Sequence, residues 1–170
     1  GRPVDELVGT ILSQNTSDIN TDRAFRSLRQ QFATWADVRD APADEVVESI
    51  RMGGLAQQKA PRIQQVLSEI LPPDAADANQ ALLDELKSLG HDASMRRLTS
   101  LSGVGPKTAA CVLLFAVGLP AIPVDTHVHR VSKRLGLISE RTDANRAHDE
   151  LLSIVPPASA YEFHVHLIQH

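Results

Sequence analysis

One short stretch decides the fold, and it reads Leu101-Ser102-Gly103-Val104-Gly105-Pro106-Lys107-Thr108. The two glycines permit backbone angles that other residues avoid, and they leave main-chain N–H groups without a covering side chain. The proline suits the first turn of a helix. A helix N-terminus with exposed N–H groups is a ready site for phosphate, which it holds through the backbone. The stretch therefore predicts a phosphate-binding hairpin between two helices, with an ordinary helix–helix turn as the alternative.

Lys107 would lie in the first turn of the second helix. The positive end of the helix dipole there disfavours a charged amine. A lysine that acts as a nucleophile must lose its proton first, so the position favours that chemistry. The alternative is an exposed lysine that only adds affinity for phosphate. Lys107 is therefore a candidate nucleophile.

A second stretch, from Ile122 to Arg130, contains the carboxylate Asp125. The helix after the hairpin would run outward, turn between Gly118 and Pro120, and return Asp125 towards Lys107. A carboxylate beside an amine can accept protons and stabilise a developing cation. Asp125 could also be a simple N-cap, which is the most common role of an aspartate at a helix start.

The charge distribution agrees with phosphate contact. The net charge is −4, but between residues 93 and 135 Asp125 is the only acid, and the basic residues there are Arg96, Arg97, Lys107, Arg130, Lys133 and Arg134. A local basic face on an acidic protein is typical of nucleic-acid contact, although a solvated helix surface has the same composition. No apolar stretch approaches the ~20 residues of a membrane-spanning helix. The single cysteine, Cys111, is interpreted as a core residue and excludes an internal disulfide framework.

Apolar residues recur at helical spacing along nearly the whole chain, and almost no segment alternates as a strand does. This predicts an all-α fold of modest helices with short Gly/Pro connections. Trp35 is interpreted as a core residue, with base stacking as the alternative. The predicted helices include Leu7 to Leu12, one capped by Ser17 or Asp18, 43–50, one ended by Pro72-Pro73, 81–89, 95–101, 106–117, 126–135, 145–154 and 160–170, with 72–79 as the crossing between lobes.

Five stretches match the signatures of one family: LSGVGPKTA (101–109), PVDTH (123–127), ILSQNTSD (11–18), IRMGGLAQQKA (50–60) and HVHLIQH (164–170). Together they resemble the endonuclease III group of the helix-hairpin-helix (HhH-GPD) DNA glycosylases. The resemblance implies two helical lobes with a DNA-binding cleft between them. Residues 1–170 would form one glycosylase core. The barrel lobe would cover about 16–130, with the helix-hairpin-helix at 95–117, and the second lobe about 1–15 and 131–170.

The resemblance also implies roles for single residues. Lys107 matches the lysine that attacks the sugar C1′, displaces the damaged base and forms a Schiff base, after which β-elimination nicks the strand. Asp125 matches the essential aspartate. Asn15 matches a residue that fills the gap left by the flipped nucleotide, and Leu55 matches one that wedges into the duplex. The remaining DNA contacts would come from Ser102, Gly103, Val104, Gly105, Thr108 and His127.

These roles predict a bifunctional glycosylase and AP lyase of base-excision repair that removes oxidised pyrimidines. The partner would be double-stranded DNA with damaged bases or abasic sites, bound by a monomer in the cytoplasm of a bacterial-type cell, at the nucleoid. The alternatives are a monofunctional mismatch or base glycosylase and a non-catalytic helix-hairpin-helix module. The first would release bases without nicking, and the second would bind undamaged duplex only.

The chain departs from the family in its cofactor. The family places four cysteines that bind a [4Fe–4S] cluster after the position of His170, so no cofactor is expected within these residues. Either the protein is a cluster-free member or, as we favour, these residues are the core of a longer chain whose second lobe is incomplete here. No metal is expected either, because the pairs His127/His129 and His164/His166 do not share a helix face.

Overall fold

The computed structural model describes residues 1–72 and 77–170. Within them every regular element is helical and none is a strand, so the predicted all-α class is confirmed. The α-helices are α1 (Pro3–Ser13), α2 (Asp18–Gln31), α3 (Trp35–Asp40), α4 (Ala43–Ser49), α5 (Ala56–Ile70), α6 (Ala78–Thr99), α7 (Pro106–Cys111), α8 (Thr126–Arg134), α9 (Ala144–Ile154) and α10 (Ala160–Gln169). Short 3₁₀ turns cover Arg51–Gly53 and Pro157–Ser159, and a π-helical segment covers Val112–Val117.

Helix α1 lies at the centre of the main core. Its apolar residues Leu7, Val8, Ile11 and Leu12 have no exposed surface, as their helical spacing predicts. The helix packs against α2, α5, α6, α7 and the π-helical segment. All of these partners belong to the segment predicted for the barrel lobe. The division into lobes stays a prediction.

The start of α1 takes its hydrogen-bond acceptor from a distant helix. The first N–H groups of a helix have no partner inside it, and Arg2, at the N-cap, makes no side-chain cap. The buried amide of Asn79 on α6 supplies one instead: its Oδ1 accepts from the N–H groups of Val4 (2.9 Å) and Asp5 (3.3 Å). Its Nδ2 donates to Asp5 Oδ1 (2.8 Å), which also accepts from the Trp35 indole (2.9 Å). Asn79 thus joins α1 to α6.

One helix was not predicted. Helix α3 is short, and Thr34 and Asp37 form a capping box that the sequence pattern contains; its first residue, Trp35, is 3% exposed, which confirms the core interpretation. The range of α6 contains two helices that meet at Gly90, whose φ of +73° and ψ of −178° are not helical. Two helices in this range were predicted, at 81–89 and 95–101. Half of the predicted crossing at 72–79 falls on residues 73–76, which lie outside the described residues.

The chain after the glycine turn at 101–105 runs outward through α7 and then returns to α8. Helix α7 passes into the π-helical segment, which ends at Gly118 with a φ of +80°. Residues 119–125 return without regular structure, and α8 begins at the cap residue Asp125. Helix α9 packs on α7 and α8, and α10 packs on α8 and the π-helical segment. Within the described residues, no helix has the length and hydropathy that crossing a membrane requires.

We expect Asn79→Ala to lower the free energy of unfolding by about 1–3 kcal/mol, because it leaves the Val4 N–H buried without an acceptor. Urea unfolding of the purified variant measures the change. Gln80→Ala, at the exposed neighbouring position, is the matched control and should change the free energy by less than about 0.5 kcal/mol. Equal effects of the two substitutions would show that Asn79 does not stabilise the start of α1.

Candidate active site

The glycine turn at 101–105 joins the second half of α6 to α7. Gly103 has a φ of +75°, a left-handed conformation that residues with a side chain rarely adopt. The Val104 N–H donates to the Leu101 carbonyl (3.1 Å) and closes the turn. Ser102, Gly103 and Gly105 are exposed, whereas the Val104 side chain is buried. The turn therefore presents its backbone outward, and Val104 can reach a ligand only through its main chain.

Lys107 is exposed in the first turn of α7, as predicted. It borders a cavity of about 520 Å³ that is also lined by Asn15, Thr108, Val124 and His148. The structure thus brings together three residues that the sequence selected from two distant stretches: Lys107, Thr108 and Asn15. The Thr108 side chain is buried in the wall of this cavity. The predicted contact between Thr108 and DNA would therefore need a side chain that is not on the surface here.

Asp125 caps α8: its Oδ1 accepts from the Val128 N–H at 2.7 Å, so the N-cap interpretation is confirmed. The charges of Asp125 and Lys107 act in opposite directions on the same two buried groups, the Cys111 thiol and the His164 imidazole. The return of the chain after Gly118 therefore brings the carboxylate within electrostatic range of groups that the amine also reaches, while the catalytic roles of both residues stay predictions.

Two buried histidines, His148 and His164, lie on helices near the returning segment 119–125. Burial lowers the pKa of His148, whose Nδ1 donates to the Ile122 carbonyl at 2.7 Å. Burial likewise lowers the pKa of His164, and the Asp125 carboxylate opposes this effect. Both imidazoles are therefore neutral near pH 7. Sequence reasoning considered His164 only as a metal ligand and did not select His148, because their partners lie on other helices.

One face of α1 forms a second cavity beside Lys107, of about 400 Å³. Glu6, Gly9, Thr10 and Ser13 line it, together with Lys107 and Cys111. Burial raises the pKa of Glu6, while a hydrogen bond from Thr10 and the nearby Lys107 oppose the rise. Sequence reasoning missed this face. The available signal was the spacing of its polar and small residues, which follow one side of a helix whose other side is apolar.

The two predicted DNA-inserting residues share an unusual backbone conformation. Asn15 (φ +55°) and Leu55 (φ +52°) are the two non-glycine residues with positive φ in the described part of the chain. Both are exposed, and Leu55 retains 46% of its surface. Left-handed conformations of such residues cost free energy and occur preferentially at functional sites. Their insertion into DNA stays a prediction.

His127 faces the protein rather than open solvent. Its Nε2 donates to the Leu167 carbonyl on α10 (3.1 Å), and its Nδ1 accepts from the Arg130 guanidinium (3.2 Å). Both ring nitrogens are therefore engaged within the molecule. The ring joins α8 to α10, and a contact between His127 and DNA stays a prediction that this geometry does not favour.

The residues present do not fit a [4Fe–4S] cluster. Such a cluster needs four cysteine thiolates, and the sequence has one cysteine. Burial raises the pKa of that Cys111 thiol to about 11, which keeps it protonated. No group of three or more His, Cys, Asp or Glu side chains in the described ranges is arranged to hold a metal ion.

The fold and this site define an all-α protein with a helix-hairpin-helix turn, a lysine at the start of the second helix, and a carboxylate returned to its side. Residues 8–157 match the family model of the HhH-GPD superfamily of base excision DNA repair proteins. The chain therefore belongs to this superfamily, as predicted from its motifs.

Individual relatives agree. A putative DNA glycosylase of Arabidopsis thaliana is 35% identical over 98% of this chain, and endonuclease III of Thermotoga maritima is 35% identical over 82% of it. The chain spans 56% and 60% of the lengths of these relatives. A solved structure of endonuclease III trapped in a covalent complex with DNA is 30% identical, with a TM-score of 0.77 over 99% of this chain and 73% of that chain. The chain thus shares the fold of endonuclease III over nearly its whole length.

We expect Gly103→Ala to destabilise the protein more than Gly118→Ala. Both positions have positive φ, which costs a residue with a Cβ about 1–2 kcal/mol. A Cβ at Gly118 meets open space, whereas one at Gly103 would lie 2.5 Å from the Arg62 side chain. Arg62 would have to move away from Gln14, whose Oε1 accepts its hydrogen bond (3.0 Å). Urea unfolding of both variants measures the difference, and equal losses would contradict a close fit between the turn and Arg62.

We expect the Cys111 thiol to react slowly. With its pKa raised to about 11, its thiolate fraction at pH 8 should be about a hundredfold below that of an ordinary thiol. Native protein treated with iodoacetamide should therefore be alkylated at least about a hundredfold more slowly than the guanidinium-unfolded protein at the same pH. Similar rates in the two states, followed by mass spectrometry, would contradict the protonated, buried thiol.

Proposed function

We propose that this chain carries the catalytic core of a base-excision DNA glycosylase that also cleaves the DNA strand through a lysine Schiff base. One observation carries the proposal: Lys107 follows an outward-facing glycine turn directly and borders a cavity shared with Asn15. A phosphate held by the turn would place the neighbouring sugar within reach of the amine. The fold's likeness to endonuclease III, which has been trapped covalently on DNA, supports it.

The chemistry would begin with attack of the neutral Lys107 amine on the sugar C1′. The bond between C1′ and the base breaks, and the base leaves with the bonding electron pair and takes up a proton. The nitrogen then loses one proton, and its lone pair breaks the bond between C1′ and O4′. The ring opens to a protonated Schiff base, and O4′ takes up a proton. Loss of a C2′ proton then expels the 3′ phosphate by β-elimination, which nicks the strand, and water releases the lysine.

Asp125 would support this sequence as a fixed carboxylate. One of its oxygens is held by the Val128 N–H, so the group cannot rotate freely away from the site. From that position the negative charge can stabilise the positive charge that develops on the sugar, and the group can receive a proton from the attacking amine. The buried His164 behind it, neutral through its lowered pKa, adds no competing positive charge.

The substrate and setting follow from the same proposal. The damaged base would be an oxidised pyrimidine, and an abasic site would be cut as well. The protein would bind double-stranded DNA as a monomer in the cytoplasm, at the nucleoid.

Borohydride reduction in the presence of abasic duplex tests the lysine. We expect wild type to form a covalent adduct on a denaturing gel and Lys107→Ala to form none, because the Schiff base has no other amine at this position. Lys87→Ala, an exposed lysine on α6, is the control and should trap like wild type. An undiminished adduct in Lys107→Ala would overturn the mechanism. Base release without any adduct would indicate a monofunctional glycosylase, and duplex binding alone a non-catalytic module.

Asp125→Asn isolates the carboxylate charge from the cap. Asparagine caps helices about as well as aspartate, so folding should be retained, and Asp125→Ala serves as the variant that loses both features. We expect Asp125→Asn to slow adduct formation by about a hundredfold or more while DNA affinity stays within about threefold. A normal trapping rate in Asp125→Asn would show that the negative charge is not used.

A further inference from the structure

Lys59, on α5, is a buried cation that the proposed chemistry does not use. It is 3% exposed, and no carboxylate of the described residues forms an ion pair with it. Its ammonium donates to two backbone carbonyls, those of Leu12 (2.6 Å) and Gly53 (2.9 Å). Burying a charge is costly unless hydrogen bonds compensate, so these two contacts are what keep the group in place.

The two carbonyls lie at the helical ends that lead into the two loops with the predicted DNA-inserting residues, Asn15 and Leu55. Leu12 lies in the last turn of α1, three residues before Asn15. Gly53 ends the 3₁₀ turn, two residues before Leu55. Both carbonyls point out of helical ends, where the backbone dipoles are negative and favour a cation. One side chain thus contacts both helical ends.

The backbone of Lys59 also contacts Leu55. Its N–H donates to the Leu55 carbonyl at 2.9 Å in the first turn of α5. Its side chain donates to the carbonyl of Gly53, two residues before Leu55. The turn that ends at Gly53 packs tightly on α2: a Cβ at Gly53 would lie 2.9 Å from the Ala24 Cβ. Leu55 is therefore bounded by contacts at both ends of its strained segment.

One turn further along α5, Arg62 extends the same arrangement. Its guanidinium donates to Gln14 Oε1 at 3.0 Å, beside Asn15. Lys59 and Arg62 of α5 therefore both contact the end of α1 that leads to Asn15. Lys59 also contacts the turn that leads to Leu55. Left-handed conformations such as those of Asn15 and Leu55 persist only where the surrounding contacts determine them, and α5 supplies those contacts.

We propose that Lys59 is a positioning residue that sets the separation of Asn15 and Leu55, through the carbonyls of Leu12 and Gly53, so that both enter one duplex together. The inference rests on the proposed function. The residues act as a pair: one fills the space that the extruded nucleotide leaves, and the other separates the neighbouring bases. A change in their separation would weaken base extrusion without touching the reacting atoms.

A double-mutant cycle tests this inference. Base extrusion is read by the fluorescence of 2-aminopurine placed at the target position of a duplex, which reports extrusion without any chemistry. We expect Lys59→Met to reduce the extruded fraction about tenfold in the wild-type background and less than about twofold in the Asn15→Ala/Leu55→Ala background. Lys87→Met, at an exposed position, is the matched control in both backgrounds.

The cycle separates positioning from folding. A general loss of stability would act in both backgrounds, so an equal reduction by Lys59→Met in the two backgrounds overturns the inference. If Lys59→Met does not fold, Lys59→Arg in the same cycle decides, because arginine retains the donors but changes their reach; it should lose extrusion only where Asn15 and Leu55 are present. Thermal unfolding of each variant sets an assay temperature at which it is folded.

The result is also distinct from a failure of the proposed function. If wild type extrudes the base but forms no borohydride adduct, the lyase mechanism fails and the cycle still decides the role of Lys59. If wild type traps normally and the Lys59→Met effect is the same in both backgrounds, the positioning role alone fails. If wild type extrudes no base, the positioning role fails together with the insertion of Asn15 and Leu55.

Discussion

The burial of α1 is the constraint on which the rest of the molecule depends. Its apolar residues have no exposed surface, and two backbone groups near its ends, the Val4 N–H and the Leu12 carbonyl, have buried hydrogen-bond partners on other helices. Asn79 supplies the acceptor at the first turn, and Lys59 supplies the donor at the last. The side of α1 that is not apolar then becomes the wall of a cavity at Lys107. One helix therefore both fills the core and lines the cavity at Lys107.

The geometry of the candidate site follows from two breaks in helical regularity. The positive φ of Gly103 lets the chain reverse so that the backbone faces outward directly before Lys107. The π-helical segment and Gly118 end the next helix early enough for the chain to return to Asp125. Two buried histidines of lowered pKa, His148 and His164, lie on the helices beside this return. The two turns therefore determine where Lys107 and Asp125 lie.

Much of the fold and part of the site could be predicted from the sequence. Helical spacing predicted the all-α class, the motif at 101–108 predicted the hairpin and Lys107, and the stretch at 122–130 predicted the cap at Asp125, because these depend on neighbours within a few residues. Contacts across the chain could not be predicted in this way. Val4, a partner of Asn79, and Leu12, a partner of Lys59, lie 75 and 47 residues away along the chain. The hydrogen bond of His127 to α10 likewise depends on how two helices pack.

What the sequence by itself determined was therefore local: where helices begin and end, which turn needs glycine, and which family the motifs resemble. Only the tertiary structure decided that Glu6 and Thr10 face Lys107, that Thr108 is buried, and that α5 contacts both strained loops. The physical reason is that periodicity and capping depend on contacts between residues close in sequence. Burial depends instead on the helices that pack against a residue, and so does the pKa of Glu6 or His164.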